Sequence, residues 1–239
     1  MFYLGLDLGQ ANDFTAQGVL EKVYVELTEE DRHELDREFN ETVTSRGGGL
    51  EYKRWIRQHT PTLHQLRHIQ RFDLGTTYPQ IVASLKEMVS AEPLRGKYAI
   101  LADATGVGRP VIDLLKQARL NVIPIIITGG HQVNLDGNTG FWNVPKRDLV
   151  STLQVLLGKK RLQISKTMPN VDLLLSELLK FQMTITENAN DTYEGRQGAH
   201  DDMVLAVALA AWWSENRGYV WRPSDPTPPN PWLNTGLSL

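Results

Sequence analysis

The sequence contains no cysteine. That excludes a disulfide framework, a thiolate-ligated zinc site and a thiol nucleophile. Long apolar runs are also missing. The longest, Asn121–Thr128 and Met203–Trp213, fall well short of the roughly 18 residues a membrane span needs. No basic stretch separates Met1 from the strand-like run that follows, so no signal peptide is expected. These absences point to a reducing, cytoplasmic setting with no membrane partner. A strong charge of one sign is lacking too, since 25 Lys and Arg stand against 28 Asp and Glu for a net −3. What is present is an ordinary globular composition: 239 residues, 41% apolar, enough for one large α/β domain or a domain with an insertion.

The charge is unevenly spread. Glu26–Glu41 carries eight acids against Arg32 and Arg37. Lys53–Arg71 carries Lys53, Arg54, Arg57, Arg67 and Arg71 with no acid, and Lys146–Lys166 carries Lys146, Arg147, Lys159, Lys160, Arg161 and Lys166 against Asp148. Two basic stretches in a mildly acidic chain suit a phosphate-binding face, although solvated helix faces give the same pattern.

Periodicity divides the chain as follows. Phe2–Gly9 and Phe14–Leu27 read as strands, paired as a hairpin across Gln10–Asp13. Thr28–Thr60 reads as an insertion or arm, with a helix-favouring acidic half, the Arg46-Gly47-Gly48-Gly49 break and a basic half around Trp55. Leu63–Leu74 is a third strand. Tyr78–Ala91 has helical spacing at Ile81, Val82, Leu85, Met88 and Val89. Lys97–Thr105 and Asn121–Thr128 are buried-type strands on either side of a helix over Pro110–Leu120. Lys146–Leu157, Val171–Phe181 and His200–Asn216 read as helices. Phe181–Tyr193 suggests a hairpin around Asn188–Asn190, and the proline-rich stretch from Arg222 an extended tail. The order implies a mixed sheet, with the first three strands antiparallel, the later ones parallel, and helices on its faces. The expected domain is 1–217 with a 28–60 arm, followed by a tail over 218–239.

Three places could carry chemistry. Asp7 stands mid-strand between Leu6 and Leu8, where an ionised carboxylate costs several kcal/mol unless something compensates it. Asp103 lies near the carboxyl end of an apolar strand, where open α/β sheets place their sites. Its plain reading is a helix cap. Asp201 and Asp202, after His200, begin the alanine-rich last helix; capping explains one aspartate there but not two. Leu205, Ala206, Leu209 and Trp213 share a face with Asp202, and the small residues let that helix approach the sheet. Carboxylates from three elements can hold two Mg²⁺ or Mn²⁺ ions about 4 Å apart for phosphodiester hydrolysis. Hard oxygen donors suit those ions.

Four stretches, in order, resemble one family. They are Gly5-Leu6-Asp7-Leu8-Gly9 with Asp13-Phe14-Thr15-Ala16; Arg67-His68-Ile69 to Gly75-Thr76-Thr77-Tyr78-Pro79; Asp103-Ala104-Thr105-Gly106-Val107-Gly108; and Gly198-Ala199-His200-Asp201-Asp202-Met203-Val204. Together they look like the nuclease domain of phage terminase large subunits, within the RNase H-like superfamily. The resemblance implies an RNase H-like fold and a DNA endonuclease using Mg²⁺ or Mn²⁺. It also implies Asp7, Asp103 and one or both of Asp201 and Asp202 as ligands, with Asp13 and His200 behind them. Double-stranded DNA would be the substrate. From the charge distribution, its backbone would be gripped by Lys53, Arg54 and Arg57 of the arm, which is longer than in the family and takes no role from it, and by Lys146, Arg147, Lys159, Lys160 and Arg161. A terminase ATPase domain, a small terminase and a portal would be partners in the host cytoplasm. One departure matters: no G-x-x-x-x-G-K-[ST] occurs, so an ATP-driven motor is not expected in this sequence.

Three other readings remain open. A Holliday-junction resolvase would use the same ions on a different DNA shape. A sugar-kinase or actin-like ATPase would use Leu6-Asp7-Leu8-Gly9 and Thr128-Gly129-Gly130 as phosphate loops, but it leaves His200-Asp201-Asp202 unexplained. A DNA-binding module without catalysis would have to keep costly strand carboxylates for nothing.

Overall fold

The computed structural model of the chain describes residues 1–9, 13–42, 49–106, 108–187 and 201–217. The first two strands, β1 (Phe2–Asp7) and β2 (Ala16–Tyr24), pair antiparallel as the hairpin reading requires. The inserted arm is a pair of helices, α1 (Glu29–Thr42) and α2 (Gly49–His59). Phe39 meets Tyr52 and Trp55 edge-on across the pair. No side chain of α1 is buried, and besides these rings the Tyr52 hydroxyl donates to Asp36 across the pair.

Next come β3 (Thr62–Arg71), α3 (Tyr78–Ser90), β4 (Tyr98–Asp103), α4 (Gly108–Gln117) and β5 (Val122–Thr128). They fall close to the positions that periodicity marks. The strands run β3-β2-β1-β4-β5 across the sheet, with β3 antiparallel to β2 and with β4 and β5 parallel to β1. This is the expected RNase H-like order: three antiparallel strands, then parallel ones.

The sheet is wider than periodicity shows. β6 (Asn134–Leu135), β7 (Trp142–Pro145) and β8 (Leu162–Ile164) bring it to eight strands, in the order β6-β7-β5-β4-β1-β2-β3-β8. Runs of two to four residues are too short to show a period. β6 lies antiparallel to β7, an exception to the parallel later half. The helices α5 (Lys146–Gly158), α6 (Val171–Glu187) and α7 (Asp202–Asn216) complete the chain. The hairpin expected from Phe181 is replaced, as far as Glu187, by the continuation of α6: its backbone hydrogen bonding carries on past the apolar stripe of Val171, Leu174, Leu178 and Phe181. The remainder of that hairpin, the turn at 10–12 and the tail over 218–239 lie outside the described residues.

Two cores sandwich the sheet. One lies under α3 and α4, through Ile81, Leu85, Val111, Ile112 and Leu115. The other lies under α5, α6 and α7. α7 is sandwiched in turn, with β1 and β2 on one side and α5 and α6 on the other. Every residue from Asp202 to Ser214 is therefore buried, as suits a helix that is apolar on all sides, and only its last turn reaches solvent. Among the described residues no helix is long and apolar enough to cross a membrane.

Candidate active site

Close approach of α7 to β1 creates the site. A Cβ placed on Gly5 would come 1.7 Å from the carbonyl oxygen of Ala206. Only glycine leaves room for a helix backbone there, and Ala206 and Ala210 keep the helix side thin. One turn of α7 before Ala206 stands Asp202, and two residues along β1 from Gly5 stands Asp7. Both steps are about 6 Å. The seating of α7 therefore brings Asp202 toward Asp7 at the carboxyl end of β1. Asp103 ends the parallel neighbour β4, so its carboxylate joins the same end.

Burial is the main force that holds the Asp7 carboxyl well above the ordinary carboxylate range, and repulsion from Asp103, Asp202 and Asp201 adds to it. Lys146, at the start of α5, opposes the shift. Burial likewise raises the Asp103 carboxyl, opposed by the Thr105 hydroxyl and backbone N–H and by Lys146. The Thr105 N–H donates to Asp103 Oδ1 at 2.8 Å. Three aspartates from two other elements thus press on Asp7 at the carboxyl end of the central strands.

Asp201 and Asp202 are differently engaged. Asp201 occupies the N-cap position of α7, but its side chain makes no capping hydrogen bond. It accepts instead from Lys146 Nζ at 3.0 Å. The cap comes from elsewhere: Glu177 of α6 accepts from the N–H groups of Met203 at 3.1 Å and Val204 at 3.4 Å. Those are the second and third helical positions, the ones a local cap would serve. Glu177 also pairs with Arg71 at the end of β3, whose Nη2 lies 3.5 Å from Asp202 Oδ2. The Arg71 guanidinium stands over the Phe14 ring, 4.8 Å from its centroid. Burial, more than the neighbouring charges, pushes the Glu177 carboxyl up to about 7, with Arg71 pulling the other way.

Glu177 and Arg71 are not among the residues that sequence reasoning assigned to the site. Arg71 stands out only once the strands are paired: Asp7 faces Ala16 and Ala16 faces Arg71 across the three strands. Glu177 follows Leu174 by three residues, a charge on the apolar stripe of α6, and it is only 4% exposed.

The other expected residues are spread out. Asp13 is exposed and lines a cleft of about 380 Å³ with Gly9, Thr15, Asp73, Thr76 and Tyr78. Arg147 donates to the ring and carbonyl of His131 beside the site. Arg161 binds Glu215 and Thr62 at the other end of the sheet, one length of β3, or about 30 Å, from Arg71. Lys159 and Lys160 precede it there, about 20 Å along α5 from Lys146. These three bases therefore do not join Lys146 at the carboxylates, because the helix carries them to the opposite pole. Lys53 is exposed on α2, and the arm is rooted at that same pole, between Tyr24 and Thr62. His200 and the side chains of Arg54 and Arg57 lie outside the described residues.

No family model matches the chain. Over 136 residues the sequence is 27% identical to the terminase large subunit of Thermus phage G20c, and equally so to that of Thermus virus P23-45. The match takes in 57% of this chain but only 24% of each relative's length. Among solved structures, the large terminase nuclease of phage G20c with bound zinc aligns at a TM-score of 0.48 and 20% identity, over 90% of this chain and 81% of that one. The Mn-soaked human cytomegalovirus terminase nuclease domain aligns at 0.45 and 11%, over 90% and 84%. What this chain is similar to is the terminase large subunit, and the solved structures that align with it are terminase nuclease domains.

Proposed function

We propose that this chain is a metal-dependent endonuclease that hydrolyses phosphodiester bonds of double-stranded DNA, with residues 1–217 as the catalytic unit and the 28–60 helices as an appended arm. The cutting of concatemeric viral DNA during packaging is the setting we infer from its terminase relatives. One observation carries the reading: Asp7, Asp103, Asp201 and Asp202 converge at the carboxyl end of the central strands although their like charges oppose it. Evolution has little reason to keep such a cluster on apolar strands unless a cation relieves it.

The donor set fits a hard divalent ion in chemistry, being all carboxylate oxygen. In arrangement, no three acidic or histidine side chains among the described residues already form a cage. Lys146 engages Asp201, so binding through Asp201 has to draw that carboxylate away from its cation, whereas Arg71 reaches Asp202 through one oxygen, Oδ2, at 3.5 Å. Asp7, Asp103 and one or both of Asp201 and Asp202 would hold Mg²⁺ or Mn²⁺, two ions in our reading. Such ions supply activation of a water and neutralisation of charge at the scissile phosphate. The remaining work belongs to side chains: Lys146 and Arg147, at the rim, suit phosphate oxygens and carry no base preference.

The test is plasmid cleavage in Mn²⁺, in Mg²⁺ and in EDTA. Cleavage should need the metal, and both Asp7→Asn and Asp103→Asn should lose at least a hundredfold of it. Equal cleavage in EDTA, or by the variants, would defeat the proposal. Preference for four-way junctions over linear duplex would turn it toward a resolvase.

A further inference from the structure

We infer that Arg71 and Glu177 form a positioning pair that holds the Asp202 carboxylate in place for metal binding, an inference that rests on the function proposed above. Three observations converge. Glu177 substitutes for Asp201 and Asp202 as the cap of α7, which releases both aspartates from the capping role that their place in the chain would give them. Arg71 Nη2 spans Glu177 and Asp202, tying α6, the end of β3 and the start of α7 into one unit. The guanidinium is itself fixed by the Phe14 ring and by burial, with only 13% of the side chain exposed. Its Nε has no hydrogen-bond partner among the described residues, so placement of Nη2 between the two carboxylates is favoured over use of every donor.

The chemistry separates positioning from simple charge. Arg71 as a bare positive charge beside Asp202 would repel a divalent ion, and its removal would tighten metal binding. Arg71 as an orienting group would do the reverse, because a loosened ligand must be reordered at each binding event. Lysine keeps the charge but lacks the planar group that lies over the Phe14 ring and fixes where the nitrogen sits. Glutamine at 177 keeps an oxygen for the Met203 and Val204 N–H groups but no longer anchors the guanidinium.

The experiment measures Mn²⁺ affinity by titration calorimetry, together with kcat and KM on duplex DNA, for the whole chain and for Arg71→Lys and Glu177→Gln. Both variants should bind Mn²⁺ about 10–100-fold more weakly, the range for lost partners of metal ligands. Each should lose a similar factor in kcat, with KM within about twofold. Glu177→Gln should melt in EDTA within a few degrees of the parent, because its cap survives. Unchanged or tighter Mn²⁺ binding by both variants, with the parent active, would overturn the positioning role and leave the nuclease reading intact. A parent that neither binds Mn²⁺ nor cuts DNA would overturn both. Should Arg71→Lys fail to fold, the affinity of Glu177→Gln decides alone.

Discussion

At Asp7, burial and three neighbouring aspartates act together against ionisation. Its carboxyl is therefore raised in the folded chain, and a neutral side chain of the same shape relieves the fold. Asp7→Asn should stabilise the metal-free protein, measured by urea unfolding in EDTA at pH 7. A loss of stability would mean that the Asp7 carboxylate is held by partners rather than repelled by neighbours. The same substitution abolishes cleavage in our reading, so stability and activity should move in opposite directions. Asp7 was legible in the sequence because a charge between Leu6 and Leu8 is costly unless something compensates it. Arg71 was not, since a base among the bases of 53–71 looks like any other until the strand register sets it beside Asp202.

Among the elements, α7 decides the geometry of the site. Its seat is the close contact of Gly5 with Ala206, and Gly18 meets the Val207 side chain one strand over, where a Cβ would come within 3.2 Å. At Gly5 the obstacle is helix backbone, which cannot give way as a side chain can. Gly5→Ala should cost about 3 kcal/mol or more in unfolding free energy, at or above the upper end for overpacking. In a protein that still folds, cleavage should fall with it, because Asp202 rides on the displaced helix. Wild-type stability in Gly5→Ala would show that α7 is not seated on β1 as described. The alanines of 206–211 marked a helix made for close approach. That it is apolar on every side already implied burial all round, but not that α5 and α6 are the elements that fold back over its far side.

Across the whole molecule the two ends of the sheet differ. The carboxylates occupy one end. The other is bolted by a polar cluster in which Arg161 donates to both oxygens of Glu215, at 2.7 and 3.0 Å. There Lys22 donates to the Ser214 carbonyl at 2.6 Å, and His64 Nε2 lies 2.7 Å from Ser214 Oγ. His64 is fully buried, and burial, only partly offset by Glu215, lowers its pKa from 6.5 to about 4. A base whose pKa is lower folded than unfolded is stabilising above its unfolded value. That contribution drains away as the pH falls from about 6.5 toward 4, since the unfolded chain takes up the proton first. Between pH 7 and 5 the loss is about 2 kcal/mol. Raised acids such as Glu177 titrate with the opposite sign, so the comparison has to be a difference between two proteins. The stability gap between the parent and His64→Gln should shrink by about that amount from pH 7 to pH 5. A gap that does not change with pH would place His64 in a more open, protonatable setting.

The sequence by itself determined the strands and helices long enough to show a period and the antiparallel-then-parallel order, and it marked the four aspartates as candidates, each with a capping role as its plainer reading but too many together for capping to explain. Those features are local: a repeat of 2 or 3.6 residues, or a charge among apolar neighbours, is written within a few positions of itself. Tertiary structure alone decided the three short strands, the length of α6 and which elements cover the far side of α7. It alone also separated Lys146, which meets the carboxylates, from Lys159, Lys160 and Arg161, which the length of α5 carries to the far pole. And it brought in Glu177, from about 25 residues away, to cap α7 so that Asp201 and Asp202 need not. A hydrogen bond between distant segments leaves no spacing in the chain, because its partners meet only when α6 packs on α7.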